Sequence, residues 1–139
     1  MTLFDLNSNR IRNGQMKLTK KMPNFYGSIV LMFPKNVTQS QISDLFGKDN
    51  SIQMFDDMLE MTYKEVKDYC CWEVNELLTQ LFQLCDFKII SIAQKELNAK
   101  ILIDISFHHY DDMFPALLFD GENMEYIHMM KADISIDAY

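Results

Sequence analysis

Ile101-Leu102-Ile103-Asp104-Ile105-Ser106-Phe107-His108 is the stretch that decides the fold. Successive side chains of an extended chain point to opposite faces, so Ile101, Ile103, Ile105 and Phe107 share one face. Leu102, Asp104, Ser106 and His108 share the other. This alternation predicts a half-buried β-strand over 100–108. The closing run, Asp133-Ile134-Ser135-Ile136-Asp137-Ala138-Tyr139, repeats the pattern, with Ile134, Ile136 and Ala138 against Ser135, Asp137 and Tyr139. It is expected to be a strand that ends the chain inside its sheet. If the two strands are neighbours, Asp104, His108, Asp133, Ser135, Asp137 and Tyr139 lie together on the face turned from the core.

Working outward, Asn24 to Phe33 is aromatic and β-branched, and Pro34 closes it, which predicts a strand. Its near-continuous apolar character predicts a central one. Thr38 followed by Gln41 is a capping-box pattern, and Ile42, Leu45 and Phe46 form a helical stripe ending at Gly47, so a helix is expected over about 39–46 with a left-handed glycine cap. Residues 52–55 and 58–61 suggest a ragged strand pair around Asp56-Asp57. Residues 68–74 can open the next helix or form a short strand; their Tyr, Cys, Trp and Val content favours the strand. Residues 75–97 read as helical, with Leu77, Leu78, Leu81, Phe82 and Cys85 on one stripe. Asp86-Phe87 is a candidate break, and Asn98 a candidate cap. Ala116-Leu117-Leu118-Phe119 is short enough to be a hairpin partner of strand 100–108. Asp120 is expected to cap a helix over about 121–131. The expected order is β-α-β-β-α-β-β-α-β, an α+β fold with helices on one face of a mainly antiparallel sheet.

The length of 139 residues predicts one domain over 23–139. Before it stands an arm, 1–22, with Arg10, Arg12, Lys17, Lys20 and Lys21 against Asp5 alone. The whole chain carries a net charge of −7, and residues 23–139, with eight basic and nineteen acidic groups, carry −11. Such a body repels nucleic acid and anionic lipid, because both are bound through Lys and Arg contacts to phosphate. It attracts basic partners and speeds encounter with them. Surplus carboxylates also serve solubility, so charge alone names no partner. Cys70, Cys71 and Cys85 include no Cys-x-x-Cys pair, which predicts free thiols and a reducing, cytoplasmic setting. Neither a signal peptide nor a membrane span is expected.

No constellation carries catalysis. Adjacent His108 and His109 on a strand point to opposite faces and do not share one ion without a bend. Asp104, Ser106 and His108 share a face, but neither the hydrogen-bonded order of a triad nor an oxyanion site can be read from them. No glycine pattern cradles phosphate. No cofactor or metal is expected. The eleven methionines suit an irregular core first and an adaptable binding surface second. The carboxylates cluster as Asp56-Asp57-Glu60, Asp111-Asp112 and Asp120-Glu122-Glu125. A capping role accounts for Asp120 in part, whereas Asp56-Asp57 and Asp111-Asp112 have no evident structural reason.

Three pieces of sequence carry a family resemblance. They are the first strand with its capped helix ending Leu45-Phe46-Gly47, Trp72-Glu73-Val74 before the leucine-rich helix, and the tail from Leu117-Leu118-Phe119 to Ile134-Ser135-Ile136-Asp137-Ala138-Tyr139. Over about 23–139 the chain resembles a small bacterial family of unknown function whose members resemble immunity proteins of toxin–immunity systems. It departs from that pattern at Ser51-Ile52-Gln53-Met54 and in the basic arm. The resemblance implies a cytosolic, non-enzymatic protein that blocks a cognate toxin domain by stoichiometric binding. Asp56, Asp57, Asp111, Asp112, Asp120 and Glu122 are the expected contacts with a basic, nuclease-type toxin. The alternatives are a small-ligand or regulatory module, with its pocket between helix layer and sheet, and an enzyme built around His108 and His109.

Overall fold

The computed structural model describes residues 22–110 and 114–139. The expected basic arm, apart from Met22, therefore lies outside the described residues, as do Asp111 and Asp112. The chain runs β1 (Asn24–Phe33), α1 (Gln39–Phe46), β2 (Ser51–Phe55), β3 (Met58–Cys70), α2 (Val74–Gln83), α3 (Phe87–Leu97), β4 (Lys100–His108), α4 (Gly121–Met130) and β5 (Asp133–Ala138). The strands form one sheet in the order β2-β3-β1-β4-β5. The pairs β2–β3, β3–β1 and β1–β4 are antiparallel, and β4–β5 is parallel. The α+β class with a mainly antiparallel sheet and helices on one face is as the pattern predicted.

The core lies between that face and the helices. Phe25, Ile29, Leu31 and Phe33 of β1, Met61 of β3, and Ile101, Ile103, Ile105 and Phe107 of β4 are buried against Ile42 of α1, Leu77, Leu78 and Leu81 of α2, Ile90 and Ala93 of α3, and Met130 of α4. Each fully buried aliphatic side chain contributes roughly 1.5–3 kcal/mol over leaving it in water. Gly27 sits among them. A Cβ there would meet Leu77 Cδ2 at 2.9 Å and Leu81 Cδ1 at 3.0 Å, so its bare backbone lets α2 lie close on β1.

The local signals act as expected. Thr38 and Gln41 form the full capping box of α1. Asn98 ends α3 in the left-handed conformation. Asp120 accepts from the Asn123 N–H at the start of α4. Gly47 ends α1 at φ +89°, but its ψ of 172° lies outside the left-handed helical region expected of it.

Three expectations change. Residues 68–70 end β3, a single 13-residue strand, and Val74 already begins α2. Residues 75–97, counted as one helix in the expected order, are two, divided at the candidate break Asp86-Phe87, where Asp86 turns its carboxylate onto the Lys88 N–H and starts α3 afresh. Residues 116–119 form no hairpin with β4: both edges of β4 are occupied, by β1 and β5. Ala116 instead bridges Glu73, with its N–H donating to the Trp72 carbonyl at 2.9 Å. The observed order is thus β-α-β-β-α-α-β-α-β.

Two irregularities shape β3. Between Ile29 and Val30 the register jumps from Lys64 to Thr62, leaving Tyr63 as an extra residue. Its hydroxyl accepts the Asp86 N–H at 2.9 Å, tying the bulge to the start of α3. Burial, first among its causes, raises the Tyr63 pKa. A second shift lies opposite Tyr26, where Asp68 takes a φ of +52°.

Candidate functional site

The four expected contact residues that are described, Asp56, Asp57, Asp120 and Glu122, do not form one surface. Asp56 and Asp57 are the two central residues of the β2–β3 turn, with φ values of +51° and +65°. Positive φ at both positions is the mark of a type I′ hairpin, which favours Asn, Asp and Gly. The pair therefore does have a structural reason, contrary to the sequence reading, and it stays exposed at the tip. Asp120 lies beyond the far end of β3. Its Oδ1 accepts from the Asn123 N–H at 2.7 Å and its Oδ2 from Asn75 Nδ2 at 3.1 Å. These bonds hold its carboxyl below the usual aspartate range, the Asn123 N–H contributing most. Glu122 is exposed in the first turn of α4. Twelve steps of strand at ~3.3 Å put the two ends of β3 roughly 40 Å apart, so the two groups cannot meet one compact epitope.

What the fold does assemble is the sheet face away from the helices. The parallel register sets Leu102 beside Asp133, Asp104 beside Ser135 and Ser106 beside Asp137. Across β1, Ser28 stands between Glu65 and Asp104. Asp104, Asp133, Asp137 and Tyr139 thus share a face with Glu65. The side chains of Asp104, Asp133 and Asp137 make no hydrogen bond or ion pair among the described residues. Glu65 accepts a long bond from the Tyr26 hydroxyl at 3.4 Å and pairs with Lys67 at 3.4 Å. Towards the hairpin the face turns apolar, with half-buried Val30, Met32, Met58 and Leu102.

At the other end of this face a groove of about 310 Å³ is lined by Tyr26, Lys67, Asp68, Ser106, His108 and Tyr139, among others. Tyr139 is held there by backbone bonds, its N–H donating to the Phe107 carbonyl at 2.9 Å and its carbonyl accepting from His109 at 3.3 Å. His108 meets Tyr110 edge-on, while His109 stacks on Phe114 with ring centres 4.3 Å apart. The adjacent histidines therefore diverge, as strand geometry requires. No hydrogen bond joins Asp104, Ser106 and His108. No group of three metal-ligating side chains occurs among the described residues. Burial pushes the Cys71 thiol up to about 11 and that of Cys85 to about 12, which leaves both protonated and unreactive near neutrality.

A larger groove, about 620 Å³, lies where α3 and α4 end, with Lys95, Lys100 and Lys131 on its walls. Lys95 and Lys131 sit at the negative ends of the two helix dipoles and compensate them. Of the described helices, none is long and apolar enough to cross a membrane.

Sequence reasoning missed Glu65, Tyr26 and the exposed pair Met54 and Phe55, 71% and 63% accessible. Strict alternation would put Glu60 and Glu65 on opposite faces; the extra residue at Tyr63 sets both on the outer face. The available signal was the Asp-Asp turn between two apolar runs. No protein-family model, curated protein or solved structure matches the chain.

Proposed function

We propose that the protein is a stoichiometric inhibitor of a basic protein domain, an immunity protein that covers a nuclease-type toxin, and that the sheet face turned from the described helices is its binding surface. One observation carries this reading: Asp104, Asp133 and Asp137 share with Glu65 the sheet face that no described helix covers, and their side chains make no hydrogen bond or ion pair among the described residues. Carboxylates without a bonding partner among the described residues, standing beside apolar Val30 and Leu102, fit the anatomy of a protein interface with charge complementarity. A nuclease needs a cationic surface to hold phosphates. An acidic plug is steered to such a surface and competes with the substrate for it.

Co-expression with the domain encoded beside its gene tests the reading. A 1:1 complex is expected, and Asp104→Lys combined with Asp137→Lys should weaken it at least tenfold without lowering the melting temperature. Absence of a complex with the unaltered chain, or indifference to the charge reversal, rejects the reading.

A further inference from the structure

We infer that the free edge of β2 is a second docking element, which takes an extended, basic segment of the partner as an added strand. β2 ends the sheet, and among the described residues its outer edge pairs with no strand. Native edges are normally guarded by charge, proline or a bulge. The opposite edge, β5, follows that rule with Asp133 and Asp137. β2, Ser51-Ile52-Gln53-Met54-Phe55, has none of the three, and its Met54 and Phe55 are largely exposed.

The hairpin settles which backbone groups are available. In a β-turn the first residue's carbonyl accepts from the fourth residue's N–H, so Phe55 and Met58 form a bonded pair. Bonded and non-bonded pairs alternate along an antiparallel ladder. Gln53 and Ser51 therefore also bond inward to β3, and Ile52 and Met54 direct their N–H and carbonyl groups outward. A docking strand satisfies these two residues.

Charge selects the occupant. Asp49 precedes the edge, Asp56 and Asp57 follow it, and Glu60 stands beside Gln53; Lys48 is the opposing charge nearby. A second copy, paired antiparallel about Gln53, would bring Asp49 against Asp57 twice, and like charges directly opposite are destabilising. A strand alternating apolar and basic residues meets no such conflict and places its cations near the hairpin acids. The partner's identity as a basic protein rests on the inhibitor reading above; the edge geometry does not.

The test is amide NMR of the full chain titrated with a blocked hexapeptide of alternating valine and lysine. The Ile52 and Met54 amides should shift and become at least tenfold slower to exchange. Met54→Pro removes an outward N–H without touching the inward ladder, and should weaken binding at least tenfold. Met54→Ala keeps that N–H and should cost threefold or less. The inference is overturned by equal binding of a valine–glutamate peptide, by full binding of the proline variant, or by a Met54 amide already protected in the free chain, whether by self-association or by another segment. Amide protection in the unaltered chain decides the matter even where the proline variant does not fold. Peptide binding without binding to the neighbouring domain would remove the inhibitor reading and leave the edge assignment standing.

Discussion

Gly27 and Asp120 carry more structure than their size suggests. Leu77 and Leu81, which a Cβ at Gly27 would strike, are wholly buried and have no room to retreat. Gly27→Ala should therefore overpack the α2–β1 contact and destabilise by about 1–3 kcal/mol. A lower urea midpoint with an unchanged slope would report it. Asp120 offers a titration instead. Its folded pKa is depressed, chiefly by the Asn123 N–H and then by the Asn75 amide. The stabilisation is thus complete above the unfolded aspartate value of ~3.9 and is lost as pH falls through the lower folded value. Asp120→Ala should have a lower urea midpoint than the unaltered chain at pH 6, and the gap should close on acidification below about pH 3–4. A gap independent of pH would show that the carboxylate's charge plays no part. The cap was legible in sequence because it is a contact three residues long. The role of Gly27 was not, since it depends on where a helix fifty residues later comes to rest.

The same division holds for whole elements. β1, β4, α1 and α4 could be read because alternation and caps are local. The fate of Ala116 to Phe119 could not, because it turns on whether β4 has a vacant edge, and the parallel docking of β5 had filled it. β3 was hidden for another reason: its bulges at Tyr63 and Asp68 put the alternation out of phase twice within one strand. In the β2–β3 hairpin, the turn role of the aspartates coincides with their proposed role in binding. Asp56 and Asp57 both hold positive φ, which costs an ordinary residue on the order of 1–2 kcal/mol and Asp somewhat less. Replacing them together, Asp56→Asn with Asp57→Gly, supplies the pair that a type I′ turn most favours. The melting temperature should rise by a few degrees, about what 1 kcal/mol yields in a domain of this size. Binding to a basic partner should weaken in the same variant, because two carboxylates leave the hairpin tip. A rise in stability with no change in affinity would confine the pair to its turn role.

Across the whole molecule charge is unevenly arranged, and the arrangement was only half legible. The −11 of residues 23–139 can be counted from the sequence, but a sum does not say that Asp104, Asp133 and Asp137 share the sheet face that no described helix covers, with Lys100 at its end, while Lys95 and Lys131 stand where α3 and α4 end. The convergence needed the parallel β4–β5 pairing, which no local pattern announces. It leads to a kinetic expectation. Exposed charges act over a Debye length, ~10 Å at 0.1 M salt and ~3 Å at 1 M, so steering by this face fades as salt rises while short-range apolar contacts persist. Under the proposed inhibitor role, association with the domain encoded beside its gene, followed by stopped flow, should slow by on the order of tenfold between low and high salt. The triple variant Asp104→Asn, Asp133→Asn, Asp137→Asn should associate slowly at low salt and respond little to added salt. Its dissociation rate should change less than its association rate, since rim charges act mainly on encounter. Its stability should not fall, because these side chains have no partner to lose among the described residues and their mutual repulsion is relieved. An unaltered salt slope in the triple variant would mean that the steering field originates elsewhere, and the hairpin acids would then be the next group to neutralise.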